Sequence, residues 1–232
     1  MNGEAVRRPS RIPGMRGIAL LAGLVLLAAL SLLAMVAATD MLSQERMAAN
    51  LDDSTSARAN ADQALAGGLA VLLGTPEDRR TPGCAAYCFL APSDTLIRTA
   101  GEWTALPEFE PASWWQREGR LPGTDPVSAA EPDVPELPWA QAPRFTIEEV
   151  AFRGPEELTV PESAPPVEGV GYYRILGRGT GRQAGLVAVT EAIVARPWVA
   201  GTAQSEPTDW AAFCAPFQPW YDCGGMAWRA RR

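Results

Sequence analysis

The chain has 232 residues, of which 47% are hydrophobic, a formal net charge of −7 and no histidine. An acidic chain is poorly suited to nucleic acids, whose phosphates require a basic protein face. Histidine is the commonest general base and metal ligand. Its absence disfavours most hydrolases and metalloenzymes, so we predict no catalytic residue, no metal and no cofactor.

Residues 1–17 are basic, with four arginines against one glutamate, a net charge of +3. They precede an apolar run, residues 18–38, which has no charge and Ser31 as its one polar side chain. As a helix this run would span roughly 30 Å, the thickness of the bilayer's hydrocarbon core. A basic flank stays cytoplasmic, so the rest of the chain is expected beyond the inner membrane.

The apolar run has three interpretations. It is a single-pass anchor, a secretory signal peptide cut after a small residue such as Ala38, or a prepilin whose basic leader is cut after Gly17. A signal peptide needs an apolar core of only about 7–15 residues, and this run is longer. Arg16 and Gly17, directly before the run, favour the prepilin.

The helix is predicted to continue well past the membrane. Neither Gly nor Pro occurs from residue 24 to residue 66, and helix-favouring residues dominate. Gly74, followed by Thr75-Pro76, is a helix stop. We therefore assign residues 18–39 to the membrane half and 40–74 to the periplasmic half of one helix.

Two places in the periplasmic half are expected to be weak. The poor helix formers at residues 52–56 predict a bend or a frayed turn. Gly67-Gly68 either lets a strand approach the helix closely or simply costs stability.

Residues 104–143 are predicted to be a proline-rich loop, because closely spaced prolines exclude regular helix and central strand. Tryptophans are expected to hold this loop on the domain; they are Trp103, Trp114, Trp115 and Trp139. Its acidic residues are expected to be solvated, because no positioned partner accompanies them; they are Glu108, Glu110 and Glu118.

Three segments rich in aromatic and β-branched residues predict strands: 144–153, 171–178 and 186–195, with a shorter one within 94–99. The glycine-rich RGTGRQAG (178–185) predicts a hairpin turn, and no helix N-terminus follows it to bind a phosphate. An antiparallel sheet packed on the long helix gives an α+β fold.

Four cysteines in an exported domain are expected to be oxidised. They are Cys84, Cys88, Cys214 and Cys223. Pairing Cys84 with Cys88 and Cys214 with Cys223 is favoured because both pairs are local. The crossed pairings, which would join the proline-rich region to the tail of residues 197–232, stay open. The spacings C-x3-C and C-x8-C differ from the C-x2-C pairs of zinc ribbons.

Residues 16–73 resemble the N-terminal region of the PilX-type minor pilins of type IV pili, and QERMAAN (44–50) is the most specific part. Residues 143–152 and 172–194 resemble strands of the same family's periplasmic domain. The resemblance implies a pilin-like α+β fold, with the long helix packed on the antiparallel sheet of a periplasmic domain, residues 75–232.

The resemblance also implies how the N-terminus is processed. Prepilin peptidase would cut between Gly17 and Ile18 and leave a methylated N-terminus. Cutting after Gly14 is the alternative, but it would keep Arg16 beside the membrane helix. Most pilins carry Glu at the fifth mature position, where this chain has Ala22, a departure shared with PilX-type pilins and with tip pseudopilins of type II secretion.

By resemblance, the chain is expected to be a non-enzymatic minor pilin. It would reside in the inner membrane and then join the extracellular pilus used for adhesion and twitching motility. Its expected partners are prepilin peptidase, other minor pilins, the major pilin and a large tip adhesin, and no nucleic acid. The alternatives are a type II secretion tip pseudopilin and a bitopic periplasmic enzyme.

Overall fold

A computed structural model describes residues 15–81, 83–84, 88–99, 107–133, 142–182, 185–199 and 209–231. The chain forms two compact units, residues 1–50 and residues 51–232. In the first unit the described residues are the beginning of one helix. The second unit contains the rest of that helix, a sheet and the C-terminal segment.

The elements follow one another along the chain as α1 (Met15–Gly74), β1 (Ile97–Thr99), α2 (Ala112–Glu118), β2 (Arg144–Arg153), β3 (Gly169–Thr180), β4 (Val187–Trp198), α3 (Trp210–Cys214) and β5 (Gly224–Arg231). The strands form one sheet in the order β1-β2-β3-β4-β5. A long helix against a five-stranded sheet is an α+β arrangement, as predicted.

The prediction of a purely antiparallel sheet is wrong at one edge. Strand β1 pairs with β2 in parallel, whereas β2–β3, β3–β4 and β4–β5 are antiparallel. The sheet is therefore mixed. Parallel neighbours need a connection of a dozen residues or more, and the chain between Thr99 and Arg144, which includes α2, supplies one.

The predicted hairpin is confirmed, but its strands are longer than expected. Strands β3 and β4 pair from Gly169 opposite Trp198 to Thr180 opposite Val187. Gly179, predicted in the turn, therefore lies in a strand. Strand β2 has the predicted bounds, and β5 was not predicted.

Helix α1 ends at Gly74 as predicted, and no break occurs at residues 52–56. The polar side chains there have hydrogen-bond partners within the helix and in the β3–β4 turn. The hydroxyls of Ser54 and Thr55 donate to Leu51 O, at 2.9 and 2.8 Å. The carboxylate of Asp53 accepts a hydrogen bond from the backbone N–H of Arg182 in the β3–β4 turn.

Glycines determine how closely α1 approaches the sheet. A Cβ added to Gly177 or Gly179 would overlap backbone atoms of α1, including Ala61 in both cases. From the helix side, a Cβ on Gly68 would lie 2.6 Å from Ile175 Cγ2. Gly67-Gly68 therefore allows close approach to the sheet and the adjoining loop, the first of the two alternatives from the sequence. The core beside this contact includes Leu65, Leu72, Phe145, Ile147, Tyr173, Ile175 and Val194.

The opposite face of the sheet is covered by two segments. Trp115 of α2 is fully buried against Leu176 and Val189, so a tryptophan does hold the proline-rich region on the domain. Phe217 and Tyr221 pack in a second cluster with strand residues of β3 and β4. Trp114 is partly buried against the Trp115 cluster, and the predicted anchors at positions 103 and 139 lie outside the described residues.

We predict that Gly179→Ala destabilises the second unit by at least about 3 kcal/mol, because the methyl group must displace backbone of α1. Gly185→Ala is the matched control, because a Cβ there meets nothing within 4 Å. Chemical denaturation of both variants measures the effect. Equal stability of the two variants would contradict the close helix–strand contact.

Candidate functional site

The N-terminal site residues lie at the start of α1. Gly17, Ile18 and Ala22 are all helical. One helix in the described residues is long and apolar enough to cross a membrane, with a mean hydropathy of 2.7 in its most apolar window, none of which is buried. Ile18 is 73% exposed. By its length and composition this helix could be a single membrane span.

The cysteines lie in two places. The structure pairs Cys84 with Cys88, with Cα atoms 6.1 Å apart, and Cys214 with Cys223, with Cα atoms 5.5 Å apart. Both separations lie in the range that a disulfide bridges. These are the local pairs, so neither bridge joins the proline-rich region to the C-terminal tail.

We predict that all four cysteines are oxidised in the exported protein. Labelling the denatured, unreduced protein with a thiol reagent should give no signal, and labelling after reduction should give four adducts. Peptide mapping should place the two bridges at Cys84–Cys88 and Cys214–Cys223. Two or more reactive thiols before reduction, or a bridge between the two regions, would contradict the assignment.

A chain of buried polar groups connects strands β2, β3 and β4. Trp198 Nε1 donates to the hydroxyl of Tyr173 at 2.8 Å, and that hydroxyl donates to Glu149 Oε2 at 2.9 Å. Burial, with the nearby Glu149 carboxylate, raises the pKa of Tyr173 well above its ordinary value, so the phenol keeps its proton. Arg80 lies 3.9 Å from Glu149 and donates to Cys84 O at 2.9 Å, which links this chain to the disulfide loop.

Arg196 lies at the C-terminal end of α1 and is 2% exposed. Its guanidinium donates to Leu72 O at 2.6 Å, to Thr75 O at 2.7 Å and to Glu77 Oε1 at 3.0 Å. The last helical carbonyls have no partner within a helix, and the helix dipole favours a cation there. Arg196 thereby connects β4 to the end of α1.

Burial affects the ionisation of both members of this pair. It raises the pKa of Glu77 above 4.5, although the charge of Arg196 acts in the opposite direction. Burial also lowers the pKa of Arg196, and Glu77 opposes that shift. Because the ordinary pKa of arginine is so high, the guanidinium remains charged at neutral pH.

We predict that Arg196→Met destabilises the second unit by about 3–5 kcal/mol near neutral pH, since it leaves Glu77 buried without its cation. Glu77 has a raised pKa when folded, so its protonation favours folding and stability is lost as pH rises through that pKa. The defect should therefore shrink as pH falls toward 4.5. Arg117→Met, at a side chain that is 65% exposed, is the matched control. Chemical denaturation of both variants across this pH range measures the defect. Equal stability of the two variants at every pH would contradict the role of Arg196.

A second charge cluster lies around Glu191 on β4. Its carboxylate is 3.4 Å from Arg174 and 3.1 Å from Arg229, and it also contacts Arg231. Burial would raise the pKa of Glu191, but the hydrogen bond from Arg231 and the charge of Arg174 hold it below its ordinary value. Glu108 is 3.0 Å from Arg231.

The expectation that the acidic loop residues lack partners is wrong for two of them. Glu108 pairs with Arg231, and Glu118 is 3.4 Å from Arg98. Both arginines lie outside the proline-rich loop in sequence, so the loop's own residues could not predict these ion pairs. Both contacts attach the proline-rich region to the domain through charge.

An apolar groove lies between α1 and the edge strand β5. It has a volume of about 520 Å³ and is lined by Leu65, Leu69, Ala192, Val194, Trp210, Gly225, Met226, Ala227 and Trp228. The groove was not predicted, because no strand was predicted in the tail of residues 197–232. The alternation of Met226 and Trp228 with smaller or charged residues is the strand signal that was available.

The chemistry available to these groups is limited. The described residues contain no group of three or more His, Cys, Asp or Glu side chains that could hold a metal ion. Arg196, Glu149 and Glu191 are buried charges, and each is paired with an oppositely charged side chain. Arg196 also donates to backbone carbonyls. These charged pairs hold elements together, and the groove beside β5 has room for another molecule.

Searches against protein-family models, curated proteins and solved structures found no match to this chain.

Proposed function

We propose that this chain is a minor pilin of the type IV pilus, of the PilX type, with no enzymatic activity. The observation that carries the proposal is a basic stretch that ends at Gly17 and is followed directly by the uncharged run 18–38, in a helix that continues to Gly74. In an ordinary anchor, a break between the membrane span and the exported domain is typical. Here one helix supplies both the apolar span and the packing surface of the domain.

The fold supports this proposal at the level of its architecture. The last part of α1 buries Ala57, Ala61, Leu65 and Leu72 in the second unit, against a sheet made mostly of antiparallel strands. In the proposed arrangement, residues 18–39 lie in the inner membrane and residues 75–232 form the periplasmic domain. After assembly, the domain is exposed on the extracellular pilus.

Ala22 supports a position at the filament tip. In pilins with Glu at this point, the carboxylate neutralises the N-terminal amine of a neighbouring subunit inside an apolar core. A subunit with no neighbour above it has no such amine to pair, and an unpaired buried carboxylate would cost stability. Tip pseudopilins of type II secretion share this feature, and they are the second candidate for that reason.

The proposed partners follow from that position. Prepilin peptidase would cut the leader, and other minor pilins would join this subunit in a complex that primes assembly of the major pilin. The same complex would present a large adhesin for attachment and twitching motility. No nucleic acid takes part.

We predict that the mature chain begins at Ile18 and that cutting requires prepilin peptidase. Gly17→Phe should block processing, because the residue before the cut must be small. Gly14→Phe is the matched control: it should be processed normally, and would be blocked instead if the cut followed Gly14. The intact mass in cells with and without the peptidase measures both variants. Residues 1–17 still attached in wild-type cells would overturn the prepilin proposal and favour a plain membrane anchor.

A further inference from the structure

Strand β5 (Gly224–Arg231) forms one edge of the sheet. It pairs with β4 on one side, and among the described residues no strand pairs with its other side. An edge strand presents backbone N–H and C=O groups that can hydrogen-bond to another extended chain. Proteins that recognise peptides by strand addition use such an edge, together with pockets for alternate side chains.

The side chains of β5 leave a large apolar surface beside this edge. Met226 is 50% exposed and Trp228 is 62% exposed, and both line the groove against Leu65 and Leu69 of α1. The pairing of β5 with β4 shifts register at Met226, a β-bulge, and both side chains border the same groove. A strand added next to β5 would place every second side chain beside them, over the groove.

The charge of this edge identifies the kind of segment that fits. The chain as a whole is acidic, but β5 carries two arginines and no acidic residue. Arg231 is nearly buried against Glu191 and Glu108, whereas the side chain of Arg229 is 62% exposed while contacting Glu191. Opposite charges on neighbouring strands stabilise the pairing and like charges destabilise it. An acidic residue opposite Arg229 is therefore favoured.

A second copy of this chain fits the edge less well. Pairing two β5 strands would bring two sets of the same arginines together. Like charges on neighbouring strands destabilise the pairing, so these arginines disfavour β5 as its own partner.

We propose that the free edge of β5 and the groove beside it bind an extended segment of a partner protein by strand addition. The segment has apolar side chains at alternate positions, which lie over the groove against Met226 and Trp228. It has a carboxylate near Arg229. This interaction extends beyond the proposed function and does not depend on it, because the surface is the same in a pilin, a pseudopilin or another anchored protein.

The test uses the full chain in lipid nanodiscs and three fluorescent ten-residue peptides. One alternates valine with glutamate, one alternates valine with lysine, and the third has the composition of the first in a scrambled order. Fluorescence anisotropy should show tighter binding of the valine–glutamate peptide than of either other peptide. Hydrogen–deuterium exchange of fragments covering residues 224–231 should slow when that peptide is bound.

Single substitutions locate the binding surface. Trp228→Thr and Met226→Thr should each weaken binding of the valine–glutamate peptide at least tenfold, while threonine preserves the preference for strand. Val127→Thr, at an exposed apolar residue outside β5 and the groove, should bind like the wild type. Arg229→Gln should remove the preference for glutamate over lysine.

Several results would overturn the proposal. They are no binding up to about 1 mM peptide, equal binding of the scrambled peptide, or an equal loss in Val127→Thr. If the backbone amides of residues 224–231 on both edges of β5 already exchange slowly in the free protein, another part of the same chain covers the strand. Concentration-dependent pairing of the full chain through β5 would assign the edge to a second copy. None of these results changes the processing at Gly17, so the proposed function is tested separately.

Discussion

The close contact between the backbone of α1 and strand β3 is the constraint on which the second unit depends. Gly177 and Gly179 leave no side chain between strand and helix, so the helix lies against the strand backbone at Ala61. Thr190 Oγ1 then reaches Ala61 O at 3.1 Å, and Asn60 reaches Thr180 O at 2.7 Å. A bulkier residue at either glycine would separate the helix from the sheet and remove these hydrogen bonds together.

The buried charges follow from this placement of the helix. Because α1 lies directly on the sheet, its last carbonyls come within reach of Arg196 on β4, and Leu69 O accepts from Trp210 Nε1 at 3.2 Å. Burying a charge costs free energy that pairing offsets only in part, while breaking a buried pair costs more. Such pairs therefore define where the helix ends and where the neighbouring segments attach. Their contribution to net stability is smaller than the cost of breaking them.

Among the described residues, each unit leaves an apolar surface exposed. The first is the uncharged run 18–38 of α1, whose large side chains are exposed along its length. The second is the edge strand β5 with Met226 and Trp228. Burying exposed apolar area is the principal driving force for association. The proposed function assigns the membrane to the first surface, and the strand-addition proposal assigns a partner segment to the second.

The sequence by itself determined the elements with strong local signals: the uncharged run from Ile18, the helix stop at Gly74, and three strands. Each depends on neighbouring residues, whose hydropathy and backbone preference act at short range. Tertiary structure alone decided the parallel pairing of β1, the strand assignment of Gly179 and the contact of Asp53 with the β3–β4 turn. It also decided the partners of Glu108 and the groove beside β5. These features arise from contacts between residues far apart in the chain, such as Asp53 with Arg182, and no local pattern of hydropathy or spacing encodes them.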